Sequence, residues 1–180
     1  MNHSGTDYNY TDFYNRITYG IRRRPKGVQY LRAADHLLTG VIFLFYPLML
    51  AALILCGIHT GKSLAAAVQG ILPLVLVPGI SFAVLSVIRR GINEKRPYED
   101  WPIEPLIPKD KKGSSMPSRH VFSAAIIAMC GLRVNAVIGG IGLILTVLVA
   151  AIRVLGGVHY PKDVAVGYLV GMAAGAFLFL

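Results

Sequence analysis

The sequence predicts an all-α integral membrane protein, a helical bundle with about five transmembrane helices and an interfacial segment before them. Of the 180 residues, 54% are hydrophobic, and the mean hydropathy is +0.57. An ordinary soluble domain has only about 45–50% apolar residues. Most of the apolar stretches approach the roughly 17–25 residues that a helix needs to cross hydrocarbon. These stretches cover residues 37–58, 64–88, 121–132, 134–152 and 164–180.

The first 36 residues have a different character and are interpreted as a juxtamembrane segment, with residues 37–180 forming one transmembrane domain. The segment is polar, so we expect no cleaved signal peptide. Its aromatic residues alternate with Arg and Lys, which is typical of a chain that lies on lipid headgroups. A partly disordered tail is the alternative. The aromatic residues are Tyr8, Tyr10, Phe13, Tyr14, Tyr19 and Tyr30.

The connections between the apolar stretches indicate where the functional end lies. Residues 59–62 and the surroundings of Arg133 are short links, which predict tight hairpins. Residues 89–117 are instead long, polar and rich in proline, and such loops are usually functional or disordered. Counting membrane crossings places the N-terminal segment, the 89–117 loop and the 153–162 turn on one face.

Nearly all side chains capable of phosphate chemistry lie on this predicted face. Arg89, Arg96 and Arg153 carry guanidinium groups, which are always charged and can bind two phosphoryl oxygens at once. Ser118 adds a hydroxyl donor, and the backbone N–H groups at the start of the third predicted helix add further donors. Several fixed donors of this kind can stabilise a phosphoryl group in transfer.

Two histidines complete the predicted machinery. One imidazole can attack phosphorus while the other gives a proton to the departing alcohol oxygen. Asp163 follows His159 by four residues, and Pro161 suits the first turn of a helix, so the carboxylate can hold the His159 ring in one tautomer. His120 is then the separate acid.

The three clusters resemble the signature of the type 2 phosphatidic acid phosphatase family, which is related to vanadium haloperoxidases. That signature reads Lys-x6-Arg-Pro, then Pro-Ser-Gly-His, then Ser-Arg-x5-His-x3-Asp. This chain has Arg-x6-Arg-Pro from residue 89, Pro-Ser-Arg-His from 117, and Ile-Arg-x5-His-x3-Asp from 152. The resemblance implies a membrane helical bundle without metal or cofactor. It also implies that His159 forms a phosphohistidine and is oriented by Asp163. It implies that His120 protonates the leaving group and then activates water. The phosphoryl oxygens are then bound by Arg89, Arg96, Ser118 and Arg153, as the resemblance implies.

Three positions depart from the family pattern. Arg89 replaces Lys and keeps the charge, and Ile152 replaces Ser and removes one hydroxyl. Arg119 replaces the Gly of the second cluster, where a missing side chain allows the backbone to approach the phosphate. Either Arg119 turns away, or its charge adds a substrate contact that favours a more anionic substrate such as a diphosphate.

The predicted partners are a lipid phosphate and the bilayer. The net charge of +9 is spread over helix ends and one loop, with no separate polar domain for nucleic acid. Cys56 and Cys130 have no metal-binding spacing and are interpreted as core residues. The apolar stretches contain too few polar residues for an ion path. A non-catalytic lipid-phosphate-binding protein and a phosphotransferase stay open as alternatives, and so does the oligomeric state.

The substrate class and the orientation follow from the third stretch and from the charges. Residues 121–132 would span only about 18 Å against about 30 Å of hydrocarbon, so His120 is expected near the headgroup level. Of the 18 Lys and Arg residues, only Lys62 and Arg133 fall on the far face, which predicts a cytoplasmic site. The family resemblance points outside for many bacterial relatives. Phosphatidic acid, phosphatidylglycerophosphate, polyprenyl mono- or diphosphates and polyprenyl sugar phosphates are all candidate substrates.

Overall fold

The structure, a computed structural model, describes residues 9–180, and its regular secondary structure within that range is helical. The five predicted apolar stretches all lie in long helices, so the predicted fold class is confirmed. Two shorter helices lie before and between them. In chain order the helices are α1 (Tyr10–Arg22), α2 (Gly27–His59), α3 (Leu64–Ile92), α4 (Pro97–Asp100), α5 (Arg119–Val134), α6 (Ala136–Leu155) and α7 (Pro161–Ala176), followed by a 3-10 turn (Phe177–Phe179).

Four segments of the described chain are long and apolar enough to cross a membrane, and α5 is not among them. The 16 residues of α5 rise only about 24 Å. All eleven residues from Val121 to Gly131 are buried, so α5 forms the centre of the bundle. The other four long helices expose many large apolar side chains on their outer faces, as a lipid-facing surface requires.

Glycines on α7 let it pack closely against α5. Gly167, Gly171 and Gly175 recur every four residues and therefore lie on one helix face. A Cβ added at Gly171 would lie only 2.7 Å from the Phe122 carbonyl oxygen. Small residues of this kind allow helices to associate in a membrane, where apolar side chains gain little by leaving lipid. The close packing fixes the start of α7 beside the start of α5.

The hairpins are as tight as the sequence predicts, and a hydrogen bond to a carbonyl that Pro78 leaves free links α2 to α3. Residues 60–63 join α2 to α3, and Asn135 alone joins α5 to α6. Pro78 lies inside α3 and has no N–H, so it leaves the Leu74 carbonyl without its intrahelical donor. The Tyr46 hydroxyl of α2 donates to that carbonyl at 2.6 Å. The hydrogen bond holds α2 to α3 within the membrane.

The N-terminal helix α1 packs at the same end as the 89–117 loop and the turn before α7. Tyr10, Tyr14 and Thr18 form its buried face. The Tyr14 hydroxyl accepts a hydrogen bond from the Leu106 N–H and donates one to the Leu155 carbonyl, each at 3.2 Å. Tyr14 therefore ties the long loop to the end of α6.

The boundary predicted at residues 36 and 37 falls inside α2, which is continuous from Gly27 to His59. The division into an interfacial segment and a transmembrane domain stays a prediction. Tyr8 lies outside the described residues.

Candidate active site

The Arg89 and Arg96 side chains hold the last part of the long loop in place. Arg89 donates from Nη1 to the Ser115 carbonyl at 3.4 Å and from Nη2 to the Ser114 carbonyl. Arg96 donates from Nε to the Gly113 carbonyl at 3.2 Å. Both guanidinium groups are buried. Each has five N–H donors, so both keep donors that these loop contacts do not use.

The short helix α4 fixes the position of Arg96. The Glu99 carboxylate accepts hydrogen bonds from the backbone N–H of Arg96 at 2.7 Å and from that of Gly113 at 2.8 Å. Pro97 occupies the first helical position, where its missing N–H costs nothing. Arg96 also donates from Nη1 to the Val158 carbonyl at 3.1 Å, next to His159. The 89–117 loop and the turn before α7 therefore meet, as the crossing count predicts.

His159 is held by one ring nitrogen in a buried polar pocket. Its Nδ1 lies 3.4 Å from Asp163 Oδ2 and 3.4 Å from Ser115 Oγ. The Ser115 hydroxyl also donates to Asp163 Oδ2, which in addition accepts the Tyr160 N–H at 3.0 Å. A carboxylate beside Nδ1 favours the tautomer with the proton on Nδ1. In that tautomer the lone pair is on Nε2, where a nucleophile needs it.

The environment keeps His159 neutral. Burial is the main cause that lowers its pKa, to about 4, and the charges of Arg96 and Arg89 act in the same direction. The Asp163 carboxylate opposes the shift through its hydrogen bond and its charge. The ring is therefore neutral near neutral pH, and neutral imidazole is the form that can act as a nucleophile.

His120 lies at the start of α5, outside the four membrane-crossing segments, and faces the same group of charges. Burial lowers its pKa to about 3, with further lowering by Arg153 and His159. An incoming phosphate carries the opposite charge and therefore raises the proton affinity of this ring. The His120 ring also packs edge-on against Phe43 of α2, with ring centroids 6.5 Å apart.

Ser118 immediately precedes α5 but does not cap it with its side chain. It occupies the N-cap position without a side-chain capping hydrogen bond. Its hydroxyl is fully buried and has no hydrogen-bond partner among the described residues. Buried polar groups normally have a partner, so the Ser118 hydroxyl has a donor that no residue of 9–180 uses. The Ser118 N–H donates to the Asp163 carbonyl at 2.9 Å, which joins the starts of α5 and α7.

Arg153 enters the site from the end of α6 and is paired with α2. Its Nη2 lies 3.1 Å from Asp35 Oδ1 and donates to the Thr39 hydroxyl at 3.2 Å. Both members of the Arg153–Asp35 pair are buried. Such a pair orients a guanidinium and leaves its other donors free.

Arg119 is half-buried and turns toward α3. Its guanidinium carbon lies 5.9 Å from the centre of the Phe82 ring, a cation–π distance. No carboxylate of residues 9–180 forms a salt bridge with Arg119.

The structure thus brings the sequence-predicted residues to one end of the bundle. Ser115 accepts a hydrogen bond from Arg89 at its carbonyl, and its side chain contacts both His159 and Asp163. Arg96 donates to the carbonyl of Val158, the residue before His159. Within residues 9–180, no three His, Cys, Asp or Glu side chains are grouped so as to hold a metal ion. The predicted residues that these contacts join are Arg89, Arg96, Ser118, His159 and Asp163. Of the other predicted residues at this end, His120 packs on Phe43, Arg153 pairs with Asp35 of α2, and Arg119 turns away to Phe82 of α3.

Sequence reasoning missed two residues at this site, Ser115 and Asp35. Ser115 lies two residues before the Pro of the second cluster, and nothing in a Gly-Ser-Ser-Met run separates a buried serine from an exposed one. Asp35 had a stronger signal, because an acidic residue two positions before a 22-residue apolar stretch is costly unless it is paired. Four helical positions separate Asp35 from Thr39, so both can contact the same Arg153.

Two solved structures have a similar fold. The crystal structure of Aquifex aeolicus LpxE covers 99% of this chain and of its own, with a TM-score of 0.68 and 22% identity. The first transmembrane PAP2 type phosphatidylglycerolphosphate phosphatase from Bacillus subtilis covers 94% of this chain and 84% of its own, with a TM-score of 0.65 and 22% identity. At this identity the likeness shows the fold.

Sequence comparison finds relatives and a family. Decaprenylphosphoryl-5-phosphoribose phosphatase from Mycobacterium tuberculosis is 31% identical over 99 residues, which are 55% of this chain and 54% of that enzyme. The match thus spans about half of each protein. The PAP2 superfamily model matches residues 70–180, more than half of the chain and all three clusters of the signature. The chain therefore belongs to the PAP2 superfamily, as the resemblance of its three clusters predicted.

Proposed function

We propose that this protein is a membrane-embedded lipid phosphatase that hydrolyses a lipid phosphate through a phosphohistidine on His159. The observation that carries the proposal is the arrangement of that ring, whose Nδ1 is held between Asp163 and Ser115. Arg89 donates to the Ser115 carbonyl, and Arg96 donates to the Val158 carbonyl, next to His159. The Ser118 hydroxyl, which makes no hydrogen bond within residues 9–180, lies at the start of α5. Named relatives that act on lipid phosphates support the substrate class.

In the first step, the Nε2 lone pair of His159 attacks phosphorus and the bond from phosphorus to the lipid oxygen breaks. The departing oxygen takes a proton from His120, which gains that proton when the anionic substrate arrives. Arg89, Arg96, Arg153 and the Ser118 hydroxyl stabilise the charge on the phosphoryl oxygens. Asp163 stabilises the proton on Nδ1 while the ring becomes cationic.

In the second step, His120 takes a proton from water, and the resulting hydroxide attacks phosphorus. The P–N bond breaks, its electron pair returns to Nε2, and inorganic phosphate leaves. No step requires a metal, because the guanidinium groups supply the positive charge. An alcohol in place of water would make the same site a phosphotransferase.

The test is phosphate release by purified protein in detergent, in the presence of a chelator, against a panel of lipid phosphates. We expect release by the wild type and loss in His159→Ala. His59→Ala is the matched control, since His59 is exposed on α2 at the far end of the bundle. A brief reaction with 32P-labelled substrate should label the wild type with acid-labile, base-stable phosphate. Activity that survives in His159→Ala would refute the nucleophile assignment, and substrate binding without turnover would favour a non-catalytic binder.

We further propose that the site faces the cytoplasm, because the basic residues concentrate at its end of the bundle. Single cysteines at Lys112 and Lys62 would test both ends in a Cys56→Ala background, treated on intact cells with an impermeant thiol reagent. We expect labelling at position 62 and none at position 112. The reverse pattern would place the site outside.

A further inference from the structure

The two basic residues at the far end of the bundle line the same cavity. Lys62 lies in the connection between α2 and α3, and Arg133 lies in the last turn of α5. Both contribute to the lining of a cavity of about 370 Å³. His120, near the start of α5, precedes Arg133 by thirteen residues, or about 20 Å of helix. The cavity is therefore separate from the candidate active site and lies at the opposite end of the bundle.

The two cations have no acidic partner in the part of the chain that the structure describes. The sequence has no Asp or Glu between residues 36 and 93, between 111 and 162, or after Asp163. Within residues 9–180, neither Lys62 nor Arg133 forms a salt bridge. An anion at the cavity is therefore attracted by both charges without competition from a nearby carboxylate.

Neighbouring residues hold both charged side chains against the cavity. Arg133 donates from Nε to the Leu178 carbonyl at 3.2 Å, which uses one of its five N–H donors. The Lys62 side chain crosses Gly57, because its Cδ lies 3.7 Å from the position that a Cβ at Gly57 would take. Leu178 and Gly57 line the same cavity. Both cations are thus anchored on residues of the cavity wall.

The rest of the cavity is mostly apolar and extends into the membrane-crossing part of the bundle. Its lining includes Leu53 of α2 and Leu74 of α3. Leu74 lies ten residues after the start of α3, which is about 15 Å along the helix axis. The volume is within the range of about 300–1,000 Å³ that is usual for ligand sites. A matching ligand has one anionic group and an apolar part that continues from it.

We propose that this cavity binds an anionic phospholipid from the membrane leaflet opposite the candidate active site. The phosphate accepts hydrogen bonds from the Nη donors of Arg133, and Lys62 adds a point charge. An acyl chain packs on the apolar wall between α2 and α3. The bound lipid then connects the α2–α3 connection, the end of α5 and the C-terminal 3-10 turn, which all line the cavity. A ligand that binds only the folded state stabilises it, so the lipid stabilises the far end of the bundle.

The experiment measures how phosphatidylglycerol changes the thermal unfolding of the purified protein in neutral detergent. Phosphatidylcholine with the same acyl chains is the lipid control, since it has no net charge. The unfolding temperature is followed against the mole fraction of each lipid in the micelles for wild type, Lys62→Gln, Arg133→Gln and the double variant. We expect phosphatidylglycerol to give a saturable rise that exceeds the effect of phosphatidylcholine. The half-saturating fraction should increase roughly fivefold in each single variant and roughly 25-fold in the double variant, because each Lys or Arg near a lipid surface contributes about a factor of five.

Two glycines test the cavity without changing its charge. Gly70 lines the cavity, and a Cβ added there has no atom within 4 Å, so a leucine fits but occupies the cavity. Gly40 is an exposed glycine of α2 with the same open surroundings. Gly70→Leu should weaken the effect of phosphatidylglycerol, whereas Gly40→Leu should leave it unchanged. Lys112→Gln, which removes an exposed cation from the other end of the bundle, should also leave it unchanged.

A phosphatidylglycerol effect that is undiminished in the double variant and in Gly70→Leu would overturn the proposal, because the lipid would then bind elsewhere. An equal effect of phosphatidylcholine would overturn the role of the two cations. Stabilisation by inorganic phosphate alone, lost in the double variant and kept in Gly70→Leu, would identify a site for a free anion and reject the lipid. Gly70→Leu keeps both charges, so it still tests the cavity if Arg133→Gln does not fold. Phosphatidylglycerol has no terminal phosphate, so these outcomes do not depend on whether the proposed phosphatase function is correct.

Discussion

Ser115→Ala should reduce activity far more than its place outside the family signature suggests. The hydroxyl donates to Asp163 Oδ2 and lies 3.4 Å from His159 Nδ1, so it positions both groups. A hydrogen bond to a charged group contributes about 1.5–3 kcal/mol. Each 1.36 kcal/mol is a factor of ten, so kcat/KM should fall roughly 10- to 150-fold if the whole contribution acts on the transition state. The Ser115 carbonyl still accepts from Arg89, because the substitution leaves the backbone intact.

The assay is phosphate release in detergent, well below the unfolding temperature of each variant. Ser114→Ala is the matched control. Ser114 has a positive φ of 49° that alanine tolerates as poorly as serine, and its hydroxyl makes no hydrogen bond within residues 9–180. A positioning role also predicts that Ser115→Ala has little further effect in an Asp163→Asn background, since the acceptor is already altered. A loss below about threefold, or an equal loss in Ser114→Ala, would refute the reasoning.

Three further predictions concern stability and protonation. Asp35→Ala leaves Arg153 buried without its partner, which should cost about 3–5 kcal/mol and lower the unfolding temperature by at least about 6 °C; an unchanged unfolding temperature would contradict the pairing. Tyr46→Phe removes the hydrogen bond to the Leu74 carbonyl. In detergent it should lower the free energy of unfolding by about 0.6–1.7 kcal/mol, measured by thermal unfolding. No change would show that water or lipid replaces the bond. The depressed pKa of His159 predicts that its 15N resonances, assigned with His159→Ala, show a neutral ring down to about pH 5. As the pH is lowered, the unfolded chain binds this proton near pH 6.5, whereas the folded chain binds it only near pH 4. The free energy of unfolding should therefore decrease as the pH is lowered from about 6.5 to about 4. Titration of His159 near pH 6.5 would contradict the burial argument.

Much of the site could be predicted because its chemistry needs residue types that are rare in membrane helices. Two histidines and three arginines at fixed spacings on one side of the apolar stretches leave few alternative interpretations. The fold class followed from the same stretches. Ser115 could not be predicted, because its role depends on a loop path set by the Arg89 and Arg96 contacts with carbonyls. Backbone carbonyls carry no sequence signal, so such contacts appear only in the structure.

The central position of α5 could be only half predicted. The shortness of the 121–132 stretch predicts that His120 lies near headgroup level, which stays a prediction, and length alone does not separate a short span from a buried helix. Burial of α5 depends on the spacing of Gly167, Gly171 and Gly175, which lets α7 approach it. A glycine pattern acquires this meaning only when the partner helix is known, because any apolar helix tolerates scattered glycines.

The balance of buried charge at this end of the bundle supports the proposed anionic ligand. Among residues 9–180, Arg89, Arg96 and Arg153 are buried cations, and Asp35 and Asp163 are the buried carboxylates at the same end. Burying a charge without compensation is costly, so part of this cost is met by loop carbonyls that accept from the guanidinium groups. The proposed phosphoryl group would offset the remaining excess of positive charge. If α5 begins at headgroup level as its short length predicts, the proposed lipid phosphate can bring that negative charge to the site while its tail stays in hydrocarbon.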